Sequence, residues 1–324
     1  MKPFLNFISF FHLGRTPGRL GSFFFTVAIA LCLNAAVVHA DPDFTPDTAR
    51  QAATNSGDPK ALYFLARSYA KGNGVVRNPA EAASYMRQAA EKGYAFAQND
   101  LGSYYARGFG VKENYEEAAK WYRKAADNGD SLAQYTMGMI CFKGRGVPKD
   151  IPQGLAWYRK SAEQGQPDSM LALGGIYLDG SDGVPVDTQE ALKWFRKAEA
   201  LGRPEAMNSI GFIYEHGGIG IKQDSAEAVA HYRQAAEKKL GKALTNLGRM
   251  YQTGTGVQKD LLEAYKWFVL GAQNGDGVAN HYQLELEGDN PTGKPLISPE
   301  QIATARRMAH DWSKTHQEQQ QAEK

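Results

Sequence analysis

Six copies of a segment of 36 or 37 residues follow one another along this 324-residue chain, and this internal period restricts its fold more than any other feature. Each copy contains a short glycine-rich sequence. These are GNGV from Gly72, GFGV from Gly108, GRGV from Gly144, GSDGV from Gly180, GGIGI from Gly217 and GTGV from Gly254. One copy cannot fold alone, because ordering it costs about 50 kcal/mol while burying its large side chains returns roughly 10–20 kcal/mol. The copies must therefore stack.

Each copy is expected to contain two helices, and three columns of residues mark the first. An apolar residue, a small residue and, three positions later, an aromatic residue lie on one face of a helix, where the small residue allows a close approach to a neighbour. The apolar column, called the leucine column below, is Leu65, Leu101, Met137, Leu173, Ile210 and Leu247. The small column is Ala66, Gly102, Gly138, Gly174, Gly211 and Gly248, and the aromatic or tyrosine column is Tyr69, Tyr105, Cys141, Tyr177, Tyr214 and Tyr251.

The second helix of each copy begins at a residue that is a good N-cap. These caps are Asn78, Asn114, Asp150, Asp187, Asp224 and Asp260. A Glu or Gln stands three positions after each one, which predicts reciprocal capping boxes. An apolar stripe with Tyr85, Trp121, Trp157, Trp194, His231 and Trp267 follows. Five of these helices end at a glycine, whereas Lys239 takes that place in the fifth copy, so we expect its last turn to run longer.

The repeated sequences QNDLGSYYARGFGV and EEAAKWYRKAADNG resemble the Sel1-like repeats, which are relatives of the tetratricopeptide repeats. The resemblance covers residues 58–275 and is specific for fold, not for function. It implies an all-α protein, a right-handed superhelical solenoid of stacked antiparallel helix pairs with a concave groove, made of six Sel1-like repeats plus C-terminal capping helices.

The remaining segments are expected to be a signal peptide at residues 1–40, a linker at 41–57, a degenerate repeat and capping helix at 276–316, and a disordered tail at 317–324. Ser298 and Gln301 predict a capping box for the closing helix. Ile302, Ala305, Ala309 and Trp312 form its apolar stripe.

Residues 1–40 have the pattern of a secretory signal, with three basic residues, no acidic ones and an apolar run from Leu20 to Val38. We expect cleavage after Ala40 and a periplasmic or secreted product, which would touch the membrane only through this segment before cleavage. An uncleaved inner-membrane anchor is the alternative. Without these residues the net charge is −1, which does not favour nucleic acid. Cys141 is then the single cysteine, so no internal disulfide forms.

No catalytic, metal or cofactor site is expected from the sequence. The GxG turns lack the third glycine and the preceding strand of a dinucleotide site, and the histidines show no ligand spacing. Ser68 and Lys71 form an SxxK sequence without its KTG partner. Some related envelope repeat proteins have been associated with β-lactam chemistry, although they carry cysteine pairs that this chain lacks. A cell-envelope hydrolase, related to β-lactam or peptidoglycan chemistry, therefore stays as the alternative to a non-enzyme.

The main hypothesis is a scaffold or adaptor that binds a protein or peptide segment in the groove, as a periplasmic regulator of envelope assembly or signalling. By resemblance to tetratricopeptide arrays, positions two before and two after the leucine column should line the groove. These are Tyr63, Arg67, Asn99, Ser103, Tyr135, Met139, Leu171, Gly175, Asn208, Phe212, Thr245 and Arg249. We expect Tyr135, Met139, Leu171 and Phe212 to form an exposed apolar patch, which is typical of a contact surface. The identity of the partner does not follow from the sequence.

Overall fold

The computed structural model describes residues 45–322, and the expected signal peptide at residues 1–40 lies outside them. Within this range every regular element is a helix, so the all-α expectation is confirmed. The α-helices are α1 (Pro46–Ser56), α2 (Pro59–Lys71), α3 (Pro79–Glu91), α4 (Ala95–Arg107), α5 (Tyr115–Asp127), α6 (Ser131–Lys143), α7 (Ile151–Glu163), α8 (Pro167–Asp179), α9 (Thr188–Ala200), α10 (Pro204–His216), α11 (Ser225–Glu237), α12 (Gly241–Thr253), α13 (Leu261–Gln273), α14 (Val278–Glu287) and α15 (Pro299–Ala322).

The even-numbered helices α2 to α12 are the first helices of the six repeats, and the odd-numbered helices α3 to α13 are the second helices. The chain divides into two compact units at residues 169 and 170, inside α8. The first unit therefore contains repeats one to three, and the second contains most of repeat four with everything that follows it. Each unit has its own buried apolar clusters.

The predicted N-caps are all confirmed, because the side chain of each accepts a hydrogen bond from a backbone N–H in the first turn of its second helix. The reciprocal half of the capping box is wrong at these six positions. The N–H of Asn114 donates to the carbonyl oxygen of Tyr105 at 2.9 Å instead, and the other five caps donate to their tyrosine-column residue in the same way. That carbonyl is free because it belongs to the last turn of the first helix.

The two helices of a repeat are antiparallel and very close where the small column lies. In the second repeat, the N–H of Asn114 bonds to the carbonyl of Tyr105 at one end of the helix pair. Gly102, three residues before Tyr105 on the first helix, faces Tyr122, which lies eight residues after Asn114 on the second helix. A Cβ on Gly138 would lie 2.5 Å from Cδ1 of Tyr158. The small column is therefore required for the helices to approach, as expected from the sequence.

The second glycine of the GxG turn lies against the preceding second helix in repeats two, three and six. Gly110 has φ of +67°, and a Cβ there would lie 1.9 Å from the carbonyl oxygen of Pro79 at the start of the previous second helix. Gly146 against Tyr115 and Gly256 against Ser225 repeat this contact at 2.1 Å. The glycine pattern thus serves both the turn and the stacking of neighbouring repeats.

An arginine on the second helix forms a further contact between repeats. Arg87 donates to the phenol oxygen of Tyr105 at 2.7 Å, and Arg196 donates to Tyr214 at 2.9 Å in the second unit. Each tyrosine belongs to the following repeat. The tyrosine column therefore joins two repeats through its side chain, while its backbone carbonyl joins the two helices within one.

Three expectations about the chain ends and turns need correction. The segment expected to be a linker contains α1, with a reciprocal capping box between Thr45 and Thr48. Helix α15 continues to Ala322, into the tail that was expected to be disordered. Helix α11 ends at Glu237 with the same length as the other second helices, because Lys239 adopts the left-handed conformation itself at φ of +59°.

The closing helix follows its prediction. Ser298 and Gln301 exchange both bonds of a capping box, with the N–H of Ser298 donating to Oε1 of Gln301 at 2.8 Å and the N–H of Gln301 donating to Oγ of Ser298 at 3.3 Å. Ala305 and Ala309 are fully buried in the core of the second unit. Helix α15 thus covers the apolar side of α13.

Candidate functional site

Helix α2 presents one stripe of side chains that is open to solvent. On α2 this stripe is Lys60, Phe64, Arg67 and Lys71, which follow one another at three- and four-residue steps. None of these four is buried, whereas Leu62, Leu65 and Ala66 beside them are. The accessible positions on α2 are therefore one before, two after and six after the leucine column.

The structure places the predicted groove residues in two environments. Six are buried, with at most 8% of each residue exposed: Tyr63, Asn99, Ser103, Met139, Asn208 and Thr245. Six are half-buried: Arg67, Tyr135, Leu171, Gly175, Phe212 and Arg249. The expectation that Met139 is exposed was wrong, because its position in the third repeat is closed in. Tyr135, Leu171 and Phe212 stay partly accessible.

Residues two before the leucine column lie in the seams between neighbouring first helices. In the first unit, the phenol of Tyr63 donates to Oδ2 of Asp100 on the next first helix at 2.9 Å. In the second unit, Nδ2 of Asn246 donates to Oδ1 of Asn208 on the preceding first helix at 2.9 Å. Each bond joins this position to the one directly before the leucine column in the next repeat. Sequence reasoning missed that second position, and with it Asp100 and Asn246.

The seam around Asp100 is electrostatically strained. Burial raises the pKa of Asp100 to about 6, while the hydrogen bond from Tyr63 and the charge of Arg67 lower it less strongly. Burial, followed by the charge of Asp100, also raises the pKa of Tyr63, which keeps its phenol protonated as the donor. Arg67 donates to the Tyr63 oxygen at 3.3 Å. A carboxylate that is costly to ionise on an accessible helix face is a feature often found at functional sites.

A second polar cluster lies on α10 and α12 in the second unit. Oε2 of Glu215 accepts from the phenol of Tyr232 at 2.7 Å and from the guanidinium of Arg249 at 2.9 Å. Burial and then the charge of Glu215 raise the pKa of Tyr232 far above its ordinary value. The predicted groove residue Arg249 is therefore held by an ion pair and contributes one side of its guanidinium to the surface.

Two surface recesses lie beside the arginine–tyrosine contacts, and the sequence analysis did not predict them. The first has a volume of about 570 Å³ and is lined by Arg87, Tyr105 and the turn from Val111 to Asn114. The second, of about 400 Å³, is lined by the equivalent Arg196 and Tyr214. The spacing of 18 residues between this arginine and tyrosine is the signal that could have revealed both.

The residues considered for chemistry are largely enclosed. Ser68 of the SxxK sequence is 3% exposed. Cys141 is fully buried, its thiol contacts Oε1 of Gln153 at 3.3 Å, and burial raises its pKa. Within residues 45–322 no group of three metal-ligating side chains comes together. In the same range, no helix has the length and apolarity needed to cross a bilayer.

A model of the Sel1 repeat matches residues 59–94, 95–130, 131–166, 167–202, 204–240 and 241–276. These six matches cover two thirds of the chain and coincide with the six helix pairs. The chain belongs to the Sel1 repeat family.

Two solved Sel1 repeat structures are similar to this one over most of its length. One is c5321, described as a protective antigen present in uropathogenic Escherichia coli strains, with 30% identity over 83% of this chain and a TM-score of 0.71. The present chain spans 56% of that protein's length. The other is a Sel1 repeat protein from Oxalobacter formigenes, with 30% identity over 76% of this chain and 96% of its own, and a TM-score of 0.64. A comparison with curated proteins finds no match.

The seam carboxyl gives this Sel1 repeat protein a pH-dependent stability that Asp100→Asn should remove. The folded pKa of Asp100 lies above its ordinary value of 3.8, so the folded state takes up a proton as the pH falls from about 6 to 4, and its stability rises in that window. Asparagine can still accept the bond from Tyr63 without a charge. We expect the variant to be more stable than the parent at pH 7.5 by roughly 1–3 kcal/mol, with the difference vanishing near pH 4.

Urea denaturation at several pH values measures this difference. The control is Asp127→Asn, which changes an exposed aspartate on the second helix of the same repeat. A stability difference between parent and Asp100→Asn that is the same at pH 4 and pH 7.5 would show that Asp100 is not strained.

Proposed function

We propose that this chain is an exported Sel1 repeat scaffold that binds a segment of another protein along the face of its first helices. Sel1 repeats generally mediate contacts between proteins, and two first-helix columns that are partly accessible in most repeats vary in chemistry along the chain. This difference between recurring and varying columns is the observation on which the proposal rests.

The contrast between columns is large. The leucine column is always apolar, the small column is Gly or Ala, and the N-cap column is Asn or Asp, because these columns build the repeat. The position directly before the leucine column is instead Phe64, Asp100, Thr136, Ala172, Ser209 and Asn246, and the position two after it is Arg67, Ser103, Met139, Gly175, Phe212 and Arg249. Since the same helix forms with all these side chains, their identity is free to serve recognition.

The proposed compartment is the periplasm or the outside of the cell, and the proposed role is regulation of envelope assembly or signalling. The N-terminal signal pattern supports export.

Export predicts that the chain recovered from expressing cells starts at Asp41, because Val38, His39 and Ala40 place small residues where a signal peptidase cleaves. Intact mass of the protein released by osmotic shock measures the N-terminus. A full-length species that stays with the membrane fraction would mean that the apolar run is retained as an anchor.

Partner binding predicts that Tyr135→Ala combined with Phe212→Ala abolishes capture of the partner. Both rings are half-buried on first helices, one in each unit, and binding energy concentrates in a few aromatic anchors. The measurement is a pull-down from envelope extract followed by mass spectrometry, with circular dichroism to confirm the fold. The matched control is Tyr85→Ala with His231→Ala, two half-buried rings of one second-helix column.

The hydrolase alternative is tested with the same material. Ser68 lies on the buried side of α2, so a substrate cannot reach its hydroxyl without local unfolding. Ser68→Ala should therefore leave capture unchanged, and no hydrolytic activity should depend on it. A double ring variant that still captures every partner, or a β-lactam or peptidoglycan hydrolysis lost in Ser68→Ala, would contradict the scaffold.

A further inference from the structure

We propose that the first unit carries a row of three cations, Lys71, Arg107 and Lys143, that binds an acidic protein segment with one acidic residue in every three. The inference rests on the proposed function and specifies the chemistry of its partner. It concerns the end of the first-helix face, next to the GxG turns.

The three cations occupy one position in three consecutive repeats. Each is the last residue of its first helix, directly before the left-handed glycine that ends it. All three side chains are exposed. A segment that crosses the three first helices at the end next to the GxG turns would therefore pass all three.

None of the three cations has an acidic side chain within ion-pair distance in the described part of the chain. Cations on the second helices of the same unit are engaged instead. Lys120 pairs with Glu117 at 2.5 Å, and Lys124 lies 4.0 Å above the ring of Trp121. Within the described residues, Lys71, Arg107 and Lys143 make neither an ion pair nor a contact over an aromatic ring.

The helix dipole alone does not account for these cations. A positive charge in the last turn stabilises a helix, but the equivalent residues in the second unit are Asp179, His216 and Thr253. Their helices have the same length of 13 residues and also end at a glycine of positive φ. The repeat does not need a cation there, so the row in the first unit has another role.

The row is strained at its third member. The Lys143 side chain is exposed overall, but its partial burial and then the charge of the neighbouring Arg145 lower its pKa. An anion bound there would relieve the repulsion. This local strain supports an anionic occupant over an apolar one.

The spacing of the row favours a protein segment. The seam bond from Tyr63 joins the first helices of repeats one and two, and the axes of helices in contact lie about 8–10 Å apart, which is the spacing expected for cations at equivalent positions. An extended polyproline-like chain advances roughly 9 Å in three residues, which matches one acidic residue in three. A nucleic-acid duplex carries a charge about every 1.7 Å, far denser than this row.

Fluorescence anisotropy with labelled peptides tests the inference on the purified chain. Three ten-residue peptides are compared: Glu at every third position with Pro and Ala between, the same composition with the Glu residues adjacent, and the spaced peptide with Lys for Glu. The test variant is Lys71→Gln/Arg107→Gln/Lys143→Gln. The control is Lys92→Gln/Lys120→Gln/Lys160→Gln, which removes one second-helix cation from each of the same three repeats.

We expect the spaced acidic peptide to bind tightest, and the first-helix variant to weaken it about tenfold, with little change in the control variant and a further loss in high salt. Equal binding of both acidic peptides, or equal losses in the two variants, overturns the inference and leaves the scaffold proposal standing. Preferential binding of RNA or of phosphatidylglycerol vesicles through the three cations overturns the choice of occupant. If none of the peptides binds and the two-ring variant still captures every envelope protein, the scaffold proposal fails as well.

Discussion

The hydrogen bond from the N-cap backbone N–H of each second helix to the tyrosine-column carbonyl is the contact on which the repeat depends. It joins the beginning of one helix to the end of the other, and it satisfies two groups that the helices leave unpaired. The cap side chain bonds to the first turn of the second helix while the cap N–H bonds to the last turn of the first helix, so the two helix ends are held together. The close approach of the small column to the second-helix aromatic ring then fixes how the two helices face each other.

Because of this arrangement, each column of the first helix contacts a different neighbour. Its small and leucine columns face the partner helix, and its tyrosine column faces the preceding repeat, where an arginine such as Arg87 donates to the phenol oxygen. The position two before the leucine column turns into the seam towards the following first helix. The positions one before and two after the leucine column stay partly accessible in most repeats, and their residues vary from repeat to repeat. We therefore expect recognition to depend on the side chains of a narrow helix face, since the backbone of the repeat stays the same.

The helix pairs and their caps could be predicted from the sequence because short-range signals determine them. The six N-caps and the Ser298 box are local, as is the small column. The absence of the reciprocal bonds to Glu81 and its equivalents could not be predicted, because each cap N–H donates instead to a carbonyl that only the folded repeat brings near. Lys239 shows the same limit, since neighbouring repeats impose a left-handed turn that its own preference opposes.

The candidate site was predicted less completely. The repeat pattern assigned the groove to the first helices, but which adjacent positions stay accessible depends on how first helices rotate against one another. That rotation is a tertiary property. It places Tyr63 and Asn208 in seams and Asp100 and Asn246 beside them, while Met139 is closed in and Phe212 stays partly open. No local pattern separates these cases, because positions one and two before the leucine column are both polar or aromatic in several repeats.

Amide hydrogen exchange at the N-cap residues measures the central bond directly. The side chain of Asn114 is exposed and lies at the end of a turn, so without the bond to Tyr105 its amide would exchange as fast as that of Glu113, which donates to no backbone carbonyl in the described residues. We expect Asn114 and the other five caps to be protected as strongly as amides inside the second helices, because opening them requires the two helices to separate. Exchange at the rate of the neighbouring turn residues would contradict the account.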